Sequence, residues 1–348
     1  MKVAIIGGGF FGFHIAREIV RKDRHATVHI YERNNEVLCE AAYKNQCRLH
    51  LGFHYPRSGY TIYQSVLGYD RYVHEYGECI EDIPNNLYAV HKDGFVTAEQ
   101  YLAVMDSFSL DYEVVKDYAH YFRDPQDITV TVRVKEKCIN PRKIVAKLKA
   151  ENRAKVLYQI SVDRIDSTEG KLYRGTELLG QYDAIVNATY TNPNLGLSRE
   201  KRFNVKWELC MLVVCQANLP KGTAITIMDG GFGSLYPAYE GLYTASSVQY
   251  TPFLSFHSVE QALEAYCGRE ELAKSLNPAA KVVEHVQSMM NVELTPVEPW
   301  VVFKAKLADG KGDTRITEVR SEGCLYSVFC GKLDAAFSAS DRIVAEII

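Results

Sequence analysis

The chain has 348 residues, of which 47% are hydrophobic and 24% are charged, so it has the composition of an ordinary globular protein and enough length for two domains. Its formal net charge of −3 at pH 7 gives no basic surface for nucleic acid and no electrostatic attraction to an anionic membrane. No apolar run reaches membrane-spanning length, and the first predicted strand begins at residue 2, so we expect neither a membrane span nor a signal peptide. These properties indicate neither nucleic acid nor a membrane surface as a partner, and they leave the oligomeric state open.

The nine cysteines are scattered, their number is odd and no C-x-x-C occurs, so the sequence predicts neither a disulfide framework nor a zinc site. His50 and His54 are four residues apart, as in a helical metal pair. Gly52 and Pro56 disfavour a helix there and no third ligand follows, so we expect no metal. Free thiols fit a reducing compartment, and the cytoplasm is the expected location.

The first thirty-two residues predict a dinucleotide-binding unit. The apolar run K-V-A-I-I at residues 2–6 is typical of a buried strand, and G-G-G-F-F-G at residues 7–12 fits G-x-G-x-x-G. A helical pattern follows, with apolar residues at positions 11, 15 and 19. A second apolar run at 27–31 then ends on Glu32, about twenty residues past the last glycine, as this fingerprint requires.

Each residue type in this unit has a physical reason. Gly7 allows the tight turn, Gly9 lets a pyrophosphate approach the backbone, and Gly12 lets the helix pack against the strand. The helix N-terminus offers free N–H groups and a positive dipole end to phosphates. Glu32 accepts hydrogen bonds from ribose hydroxyls and repels a 2′-phosphate. The sequence therefore predicts NAD or FAD and disfavours NADP.

After Glu32 the first half of the chain mixes helical and strand patterns. Predicted helices lie at residues 61–76, 97–107 and 143–152. Thr97 and Gln100 form a capping-box pattern, and Asn140 followed by Pro141 predicts the N-cap of the third helix. Predicted strands lie at residues 80–90, 128–134, 156–165, 171–179 and 183–189; the 156–165 and 171–179 pair suggests a small hairpin or meander.

From about residue 207 the pattern is mostly that of strands. Predicted strands lie at residues 209–217, 224–228, 241–247, 299–306 and 324–330, with helices at 259–276, at 279–290 and at the end of the chain. The order predicts a nucleotide-binding domain built from separated segments (1–80, 135–205 and 310–348). A substrate domain is inserted (81–134 and 206–309).

The chain resembles, nearly end to end, the D-amino-acid-oxidase-like FAD oxidoreductases, the superfamily of glycine and sarcosine oxidases and L-2-hydroxyglutarate dehydrogenase. The matching segments are G-G-G-F-F-G with Glu32, N-Q-C-R-L-H-L-G-F-H-Y-P-R-S (45–58), N-P-R-K-I-V (140–145), V-N-A-T (186–189) and G-D-T-R-I-T (312–317). Tyr190 stands where the family usually has a glycine, and C-G-K-L-D (330–334) replaces its glycine-rich G-H-G. The resemblance implies an α/β fold, with a Rossmann-like FAD-binding domain and an inserted mixed or antiparallel-sheet substrate domain of α+β type.

The resemblance also implies which residues hold FAD. The glycine loop and Glu32 would hold its ADP half, residues 41–52 would pass along the pyrophosphate and isoalloxazine, and residues 331–334 would cover the pyrimidine end. Lys332 would place a positive charge near flavin N1 and O2, or else be a solvated lysine at a helix start. The cofactor residues implied are Gly7, Gly9, Phe10, Phe11, Gly12, Glu32, Arg33, Ala42, Asn45, Arg48, Leu49, His50, Ala188, Thr189, Gly331, Lys332, Leu333 and Asp334.

The implied chemistry is hydride removal from a C–H bond next to an amine or hydroxyl, onto flavin N5. His50 and His54 are candidate bases because imidazole titrates near neutral pH; each is alternatively a wall residue or a flavin tether. Arg57 and Arg315 are candidates to hold a carboxylate or phosphate, with a structural ion pair as the alternative. Tyr55, Tyr236 and Tyr239 line a pocket or pack in the core. Covalent flavin attachment through His or Cys is a further hypothesis.

Three hypotheses follow for the function. The first is an FAD-dependent dehydrogenase or oxidase that acts on a small polar amine or hydroxy compound. One form of this hypothesis has an anionic substrate. The second is a flavoenzyme without net redox change, such as a UDP-galactopyranose-mutase-like isomerase. The third is a nucleotide-binding protein without turnover, which the dense polar segment at 45–58 disfavours. The sequence does not distinguish amine from alcohol substrates, or oxygen from a quinone as acceptor.

Overall fold

The computed structural model describes residues 1–308 and 315–348. The helices of this part are α1 (Phe10–Lys22), α2 (Gly59–Tyr76), α3 (Ala98–Ser107), α4 (Pro141–Glu151), α5 (Val259–Cys267), α6 (Arg269–Leu276), α7 (Pro278–Met289) and α8 (Ala336–Ile347). Five short 3₁₀ turns join other elements.

The first strands in chain order are β1 (Lys2–Ile6), β2 (Thr27–Tyr31), β3 (Arg48–Leu49), β4 (Ile80–Glu81), β5 (Asn85–His91), β6 (Tyr112–Val114), β7 (Ile128–Val134), β8 (Lys137–Ile139), β9 (Lys155–Leu157), β10 (Arg164–Asp166) and β11 (Lys171–Arg174). The remaining strands are β12 (Glu177–Gln181), β13 (Ala184–Asn187), β14 (Val205–Ala217), β15 (Thr223–Met228), β16 (Gly233–Pro237), β17 (Tyr243–Ser247), β18 (Pro252–Phe256), β19 (Leu294–Leu307), β20 (Glu318–Glu322) and β21 (Leu325–Phe329).

A six-stranded sheet in the order β20-β21-β13-β1-β2-β9 has the first strand of the chain near its centre. All pairs are parallel except the edge pair β20-β21. Val3 and Ile5 pack into the core formed with α1 and α8, whereas Ala4 and Ile6 pack into a second core on the opposite face. Burial on both faces explains why β1 is a continuous apolar run rather than an alternating one.

A nine-stranded mixed sheet forms the second large layer, in the order β18-β14-β17-β16-β15-β5-β7-β6, with β19 also paired to β14. Strands β5 and β15 are parallel, and the other pairs are antiparallel. Ile225 and Leu235 on one face pack with helix α7, through Val282 and Val286. Residues on the opposite face, including Leu212, line a cavity that the loop between β1 and α1 also lines.

The described residues also form two small three-stranded sheets. Strands β10, β11 and β12 form a three-stranded antiparallel meander. Strand β3 pairs with β8, which also pairs with β4, so residues 48–49 of the polar segment at 45–58 are fixed by backbone hydrogen bonding. The architecture is the predicted α/β class, with a Rossmann-like parallel sheet and a mixed, largely antiparallel second sheet.

Most predicted elements are present, and several caps have the expected geometry. Thr97 and Gln100 form a reciprocal capping box, and the Asn140 side chain accepts from the N–H groups of Arg142 and Lys143. No helix in the described ranges combines the length and apolarity needed to cross a membrane.

Some boundaries were wrong. The predicted strand at 156–165 is two short strands in different sheets, β9 and β10, because the chain leaves the parallel sheet after Leu157. The strand at 171–179 turns at Gly175, where φ is +58°, and the helix at 259–276 is interrupted at Gly268. Strands β16, β18 and β20 were not predicted as separate strands, because each is only five residues long and is stabilised by pairing with the neighbouring strands of its sheet.

Candidate active site

The loop between β1 and α1 is shaped by glycines at closely packed positions. Gly7 has a φ of +107°, and a Cβ there would lie 2.6 Å from the Ala188 carbonyl oxygen. A Cβ at Gly12 would lie 2.1 Å from the Gly7 carbonyl oxygen, so a larger residue would push α1 away from the loop. Gly9, the N-cap of α1, has open space within 4 Å of an added Cβ. The helix N-terminus therefore faces an open volume that suits an anion.

Glu32 lies beside this loop at the end of β2. The Gly8 N–H donates to Glu32 Oε2 and the Asn34 N–H donates to Oε1, each at 2.8 Å. The residue is only 8% exposed and lines the same open volume. Because a carboxylate oxygen accepts more than one hydrogen bond, both oxygens retain capacity for hydroxyl donors of a ligand.

The glycine loop, Glu32 and the polar segment at 45–58 line one cavity of about 730 Å³. The structure brings together on its walls the predicted residues Gly7, Gly9, Phe10, Phe11, Glu32, Arg33, Ala42, Asn45, Arg48, His50, His54, Tyr55, Arg57, Ala188, Thr189, Arg315, Gly331, Lys332 and Leu333. Five other candidates are buried behind the walls instead: Gly12, Leu49, Tyr236, Tyr239 and Asp334.

His50 follows strand β3 and is backed by the buried carboxylate of Glu136. His50 Nδ1 lies 3.6 Å from Glu136 Oε2, and the two side chains are 13% and 0% exposed. Glu136 Oε2 accepts from the Tyr88 hydroxyl at 2.6 Å, and Oε1 accepts from the N–H groups of Leu51 and Gly52 at 2.7 and 3.2 Å. Burial raises the pKa of Glu136, but the charge of protonated His50 and these hydrogen bonds outweigh burial and hold the pKa at about 2.

His54 and Tyr55 extend the wall from His50. The His50 ring centroid lies 5.8 Å from that of His54 and 5.3 Å from that of Tyr55. Lys332 Nζ lies 4.7 Å from the centroid of the Tyr55 ring and donates to the Thr61 carbonyl oxygen at 3.3 Å. The Lys332 side chain is 6% exposed, so it is not the solvated lysine that the sequence left open. It forms a buried cation at the edge of the cavity.

Arg48 is a buried cation on the floor of the cavity. It is 7% exposed, its Nη1 donates to Thr226 Oγ1 at 2.9 Å, and its guanidinium lies 4.4 Å from the Tyr236 ring centroid. Within the described residues its Nε and Nη2 atoms have no hydrogen-bond partner. Beside it, Gln46 Nε2 donates to Ser234 Oγ at 3.0 Å, which makes this floor polar.

The two arginines proposed for anion binding have different surroundings. Arg57 forms a bidentate ion pair with Asp229, and its guanidinium lies 4.9 Å from the ring centroid of the exposed Phe95 at the rim. Arg57 is thus engaged by a carboxylate of the chain itself. The Arg315 backbone N–H donates to Thr61 Oγ1 at 3.2 Å, and the residue lines the cavity. Residues 312–314 of its predicted motif lie outside the described residues.

Several residues on or behind the walls were missed by sequence reasoning, namely Tyr88, Glu136, Asp229 and Ser246. Glu136 lies in the sequence K-E-K (135–137), where β7 is followed by β8. Nothing in this charged segment distinguishes it from an ordinary solvent-exposed turn. Only pairing of β3 with β8 brings it behind His50. Within residues 1–308 and 315–348 no group of three or more His, Cys, Asp or Glu side chains could hold a metal ion, and all nine cysteines are free.

Comparison with known proteins identifies the family. A family model described as FAD dependent oxidoreductase (DAO) matches residues 2–287 of the chain. The chain belongs to this family. It is an FAD-dependent oxidoreductase, and the predicted resemblance is confirmed. The match favours the first of the three hypotheses over an isomerase or a protein without turnover.

The curated relatives of this oxidoreductase include fungal monooxygenases. The chain is 29% identical to the FAD-dependent monooxygenase FPY4 of Fusarium mangiferae over 99% of its own length and 90% of that protein. It is 24% identical to the FAD-dependent monooxygenase kojA of Aspergillus flavus, over 99% of the chain and 85% of that protein. These are similarities over essentially the whole chain.

Solved structures show the same fold at low identity. The oxidoreductase is similar to NikD, described as an unusual amino acid oxidase essential for nikkomycin biosynthesis, with a TM-score of 0.73 and 14% identity over 99% of this chain and 93% of that one. It is also similar to L-alpha-glycerophosphate oxidase from Mycoplasma pneumoniae, solved with FAD bound, with a TM-score of 0.71 and 13% identity over 99% and 94% of the two chains.

The site of the oxidoreductase fits the ADP half of FAD. The open volume in front of Gly9 and the uncapped helix N-terminus suit a pyrophosphate, and Glu32 retains acceptor capacity for ribose hydroxyls. A Cβ at Gly9 would project into the space that such a phosphate needs. The residues present therefore fit the cofactor on geometry as well as on family.

Proposed function

We propose that this oxidoreductase removes a hydride from a C–H bond next to an amine or hydroxyl of a small polar substrate and delivers it to flavin N5. The observation that carries the proposal is the shared cavity, which has the glycine loop on one wall and His50 and His54 on another. When bound, FAD supplies the two-electron acceptor for this chemistry. The substrate carbon loses a hydride and its heteroatom loses a proton, so the product is a carbonyl compound or an imine.

The residues of the chain have to accept that proton when the substrate is an alcohol, because a hydroxyl must be deprotonated as the hydride leaves. His50 and His54 both line the cavity, and an imidazole is neutral over much of the working pH range. Tyr55, which lines the cavity beside both rings, orients the substrate. An amine substrate must be neutral before its hydride leaves, so the same wall accepts a proton from the ammonium form, and hydride loss then gives an iminium that releases a further proton to become the imine.

We propose that the substrate carries an anionic group. Arg48 lines the cavity and is a buried guanidinium with two nitrogen atoms that lack a hydrogen-bond partner within the described residues. Burial of a cation without a carboxylate is costly, and an anionic ligand would offset that cost. Arg57 is less suited to the role, because Asp229 already engages its guanidinium.

A monooxygenase is the second candidate function, because the fungal relatives bear that name and align with 99% of the chain. Such an enzyme generally needs an external reductant before it reacts with oxygen, whereas the proposed dehydrogenase or oxidase is reduced by its own substrate. A mutase-like isomerase would also need external reduction. The source of the electrons therefore separates the proposed function from both alternatives.

The deciding experiment is an absorbance spectrum of the purified protein, recorded anaerobically before and after addition of single amino acids, hydroxy acids and polyols. Flavin bands near 370 and 450 nm, roughly where protein-bound flavins absorb, establish the bound cofactor. Bleaching by one compound supports hydride removal and identifies the substrate class. Bleaching by NADH or NADPH alone, with none by any compound of the panel, contradicts the proposal and favours one of the two alternatives that need external reduction.

We also propose the domain limits predicted from sequence, with segments 1–80, 135–205 and 310–348 binding FAD and segments 81–134 and 206–309 facing the substrate. The strands of the parallel sheet lie in the first set and those of the nine-stranded sheet in or at the border of the second, which supports this division. A cytoplasmic location remains a prediction from the nine free thiols.

A further inference from the structure

We infer that Glu136 is a positioning residue, which holds His50 in the tautomer with the proton on Nδ1 and so makes Nε2 of His50, rather than His54, the proton acceptor. This inference rests on the proposed function, because it concerns the proton that leaves the substrate with the hydride. It goes beyond it by selecting one histidine and naming the group that controls it.

The Glu136 carboxylate is fixed before any ligand arrives. Its Oε1 is held by two backbone N–H groups, those of Leu51 and Gly52, and its Oε2 is held by the Tyr88 hydroxyl. The remaining lone pair of Oε2 faces His50 Nδ1 at 3.6 Å, slightly beyond hydrogen-bond length. A small ring rotation closes that gap, so an Nδ1–H is the favoured partner of this oxygen.

The orientation of His50 leaves one nitrogen for chemistry. Within the described residues Nδ1 is buried and has no hydrogen-bond partner, while the residue lines the cavity. Nε2 is therefore the atom that faces a substrate. With the proton on Nδ1, Nε2 carries a lone pair and can accept a proton; with the opposite tautomer it cannot.

Among the described residues, the groups that act on or contact His50 include Glu136, Asp334, His54 and Tyr55. Asp334 has Lys332 as its ion-pair partner at 3.8 Å, and burial raises the Asp334 pKa. Within the described residues His50 is the only basic side chain within 4 Å of the Glu136 carboxylate. Glu136 is thus the ionised carboxylate available to the imidazole, which resembles the carboxylate–histidine arrangement of other proton-transfer sites.

The substitution Glu136→Gln reverses the hydrogen-bond polarity without changing the shape. Because Leu51 and Gly52 both donate to Oε1, the glutamine carbonyl must take that position. Its amide nitrogen then occupies the Oε2 position and donates to His50 Nδ1. The His50 proton moves to Nε2, and the lone pair facing the cavity is lost.

The test is ¹⁵N NMR of the histidine-labelled holoenzyme at a pH where imidazole is neutral, with His50 assigned by comparison with His50→Gln. We expect the Nδ1–H tautomer in the wild type and the Nε2–H tautomer in Glu136→Gln. Tyr88→Phe is the matched control, because it removes a hydrogen bond from the same oxygen but leaves the negative charge, and it should retain the Nδ1–H tautomer. If Glu136→Gln does not fold, the wild-type spectrum still decides, since an Nε2–H tautomer there overturns the inference.

A second readout is the rate of flavin reduction by the bleaching substrate. Loss of a positioned base predicts a decrease of about 10²-fold in Glu136→Gln, with partial recovery in Glu136→Asp, which keeps the charge. A tautomer that does not change in Glu136→Gln overturns the positioning role. A tautomer that switches while flavin reduction is unaffected supports the positioning of His50 by Glu136 but overturns the choice of His50 over His54 as the proton acceptor, and it leaves the proposed hydride transfer standing.

Discussion

Lys332 and Asp334 form an ion pair at the edge of the cavity, with Nζ and Oδ2 3.8 Å apart and side chains only 6% and 2% exposed. Burial lowers the pKa of Lys332 and raises the pKa of Asp334, so the environment opposes both charges while each charge favours the other. The pair is connected to helix α2, because Lys332 donates to the Thr61 carbonyl oxygen. The Lys332 cation is therefore held at the cavity edge both by Asp334 and by helix α2.

The first prediction concerns this cation. If Lys332 stabilises negative charge on the reduced flavin, Lys332→Met should lower the midpoint potential by about 30 mV or more, the equivalent of about 1.4 kcal/mol for a two-electron couple. The potential is measured by equilibration with a reference dye. Ser65→Ala is the control, because it removes a hydrogen-bond partner of Lys332 but leaves the charge. An unchanged potential in Lys332→Met would show that the lysine is structural.

The second prediction uses two glycines of the same loop. Gly9→Ala should leave the apoprotein about as stable as the wild type, because an added Cβ meets no described atom within 4 Å and φ is −87°. FAD affinity should nevertheless fall by about tenfold or more, since the methyl group stands in the phosphate site. Gly12→Ala should instead destabilise the fold itself, because its Cβ would lie 2.1 Å from a backbone oxygen. Thermal unfolding of apoprotein and FAD titration separate the two effects.

The third prediction concerns Glu32. In Glu32→Gln an NH₂ group replaces one of the two carboxylate oxygens. This NH₂ group would face the backbone N–H of either Gly8 or Asn34, so two donors would meet where a hydrogen bond is now made. We expect FAD to bind about 10- to 100-fold more weakly, which corresponds to about 1.4 to 3 kcal/mol. Quenching of flavin fluorescence on binding measures this. Glu177→Gln, on an exposed strand, should bind FAD as the wild type does; equal affinities in both variants would argue against a ribose contact.

The fourth prediction is a pH dependence of stability. The folded-state pKa of Glu136 is depressed from 4.5 to about 2, so its contribution is present above the unfolded value and is lost as the pH falls from 4.5 towards 2. The full contribution is on the order of 3 kcal/mol. Urea unfolding of wild type and Glu136→Gln over this range should show the wild type losing its advantage as the solution is acidified. Parallel pH profiles would contradict the depressed pKa.

The sequence signals of the predicted nucleotide-binding half are local. Gly7, Gly9 and Glu32 are fixed by steric and hydrogen-bonding demands within a single strand–helix–strand unit, and all three line the cavity. The helix caps at Thr97 and Asn140 were predictable for the same reason, since each cap is made within three residues of chain.

The substrate half depends on pairing between distant segments. Arg57 was proposed as an anion clamp, but Asp229, which occupies its guanidinium, is 172 residues away in sequence. Glu136 lies behind His50 only because β3 and β8 pair, and Arg48 is buried only because β15 and β16 lie beneath it. Hydrophobic periodicity in the sequence does not indicate contacts between such distant segments. The sequence therefore suggested candidate residues for the substrate half of the site, but it could not assign a role to each of them.

The order of strands in the parallel sheet has a consequence for biosynthesis. Strand β1 is made well before its neighbour β13, which follows more than 180 residues later in the chain, and β13 in turn pairs with β21 at residues 325–329. The wall formed by residues 331–333 comes later still. During translation the parallel sheet beside the glycine loop therefore stays incomplete until the segment up to residue 329 has been made. Because residues 331–333 also line the cavity, the complete FAD site forms only after they have been made.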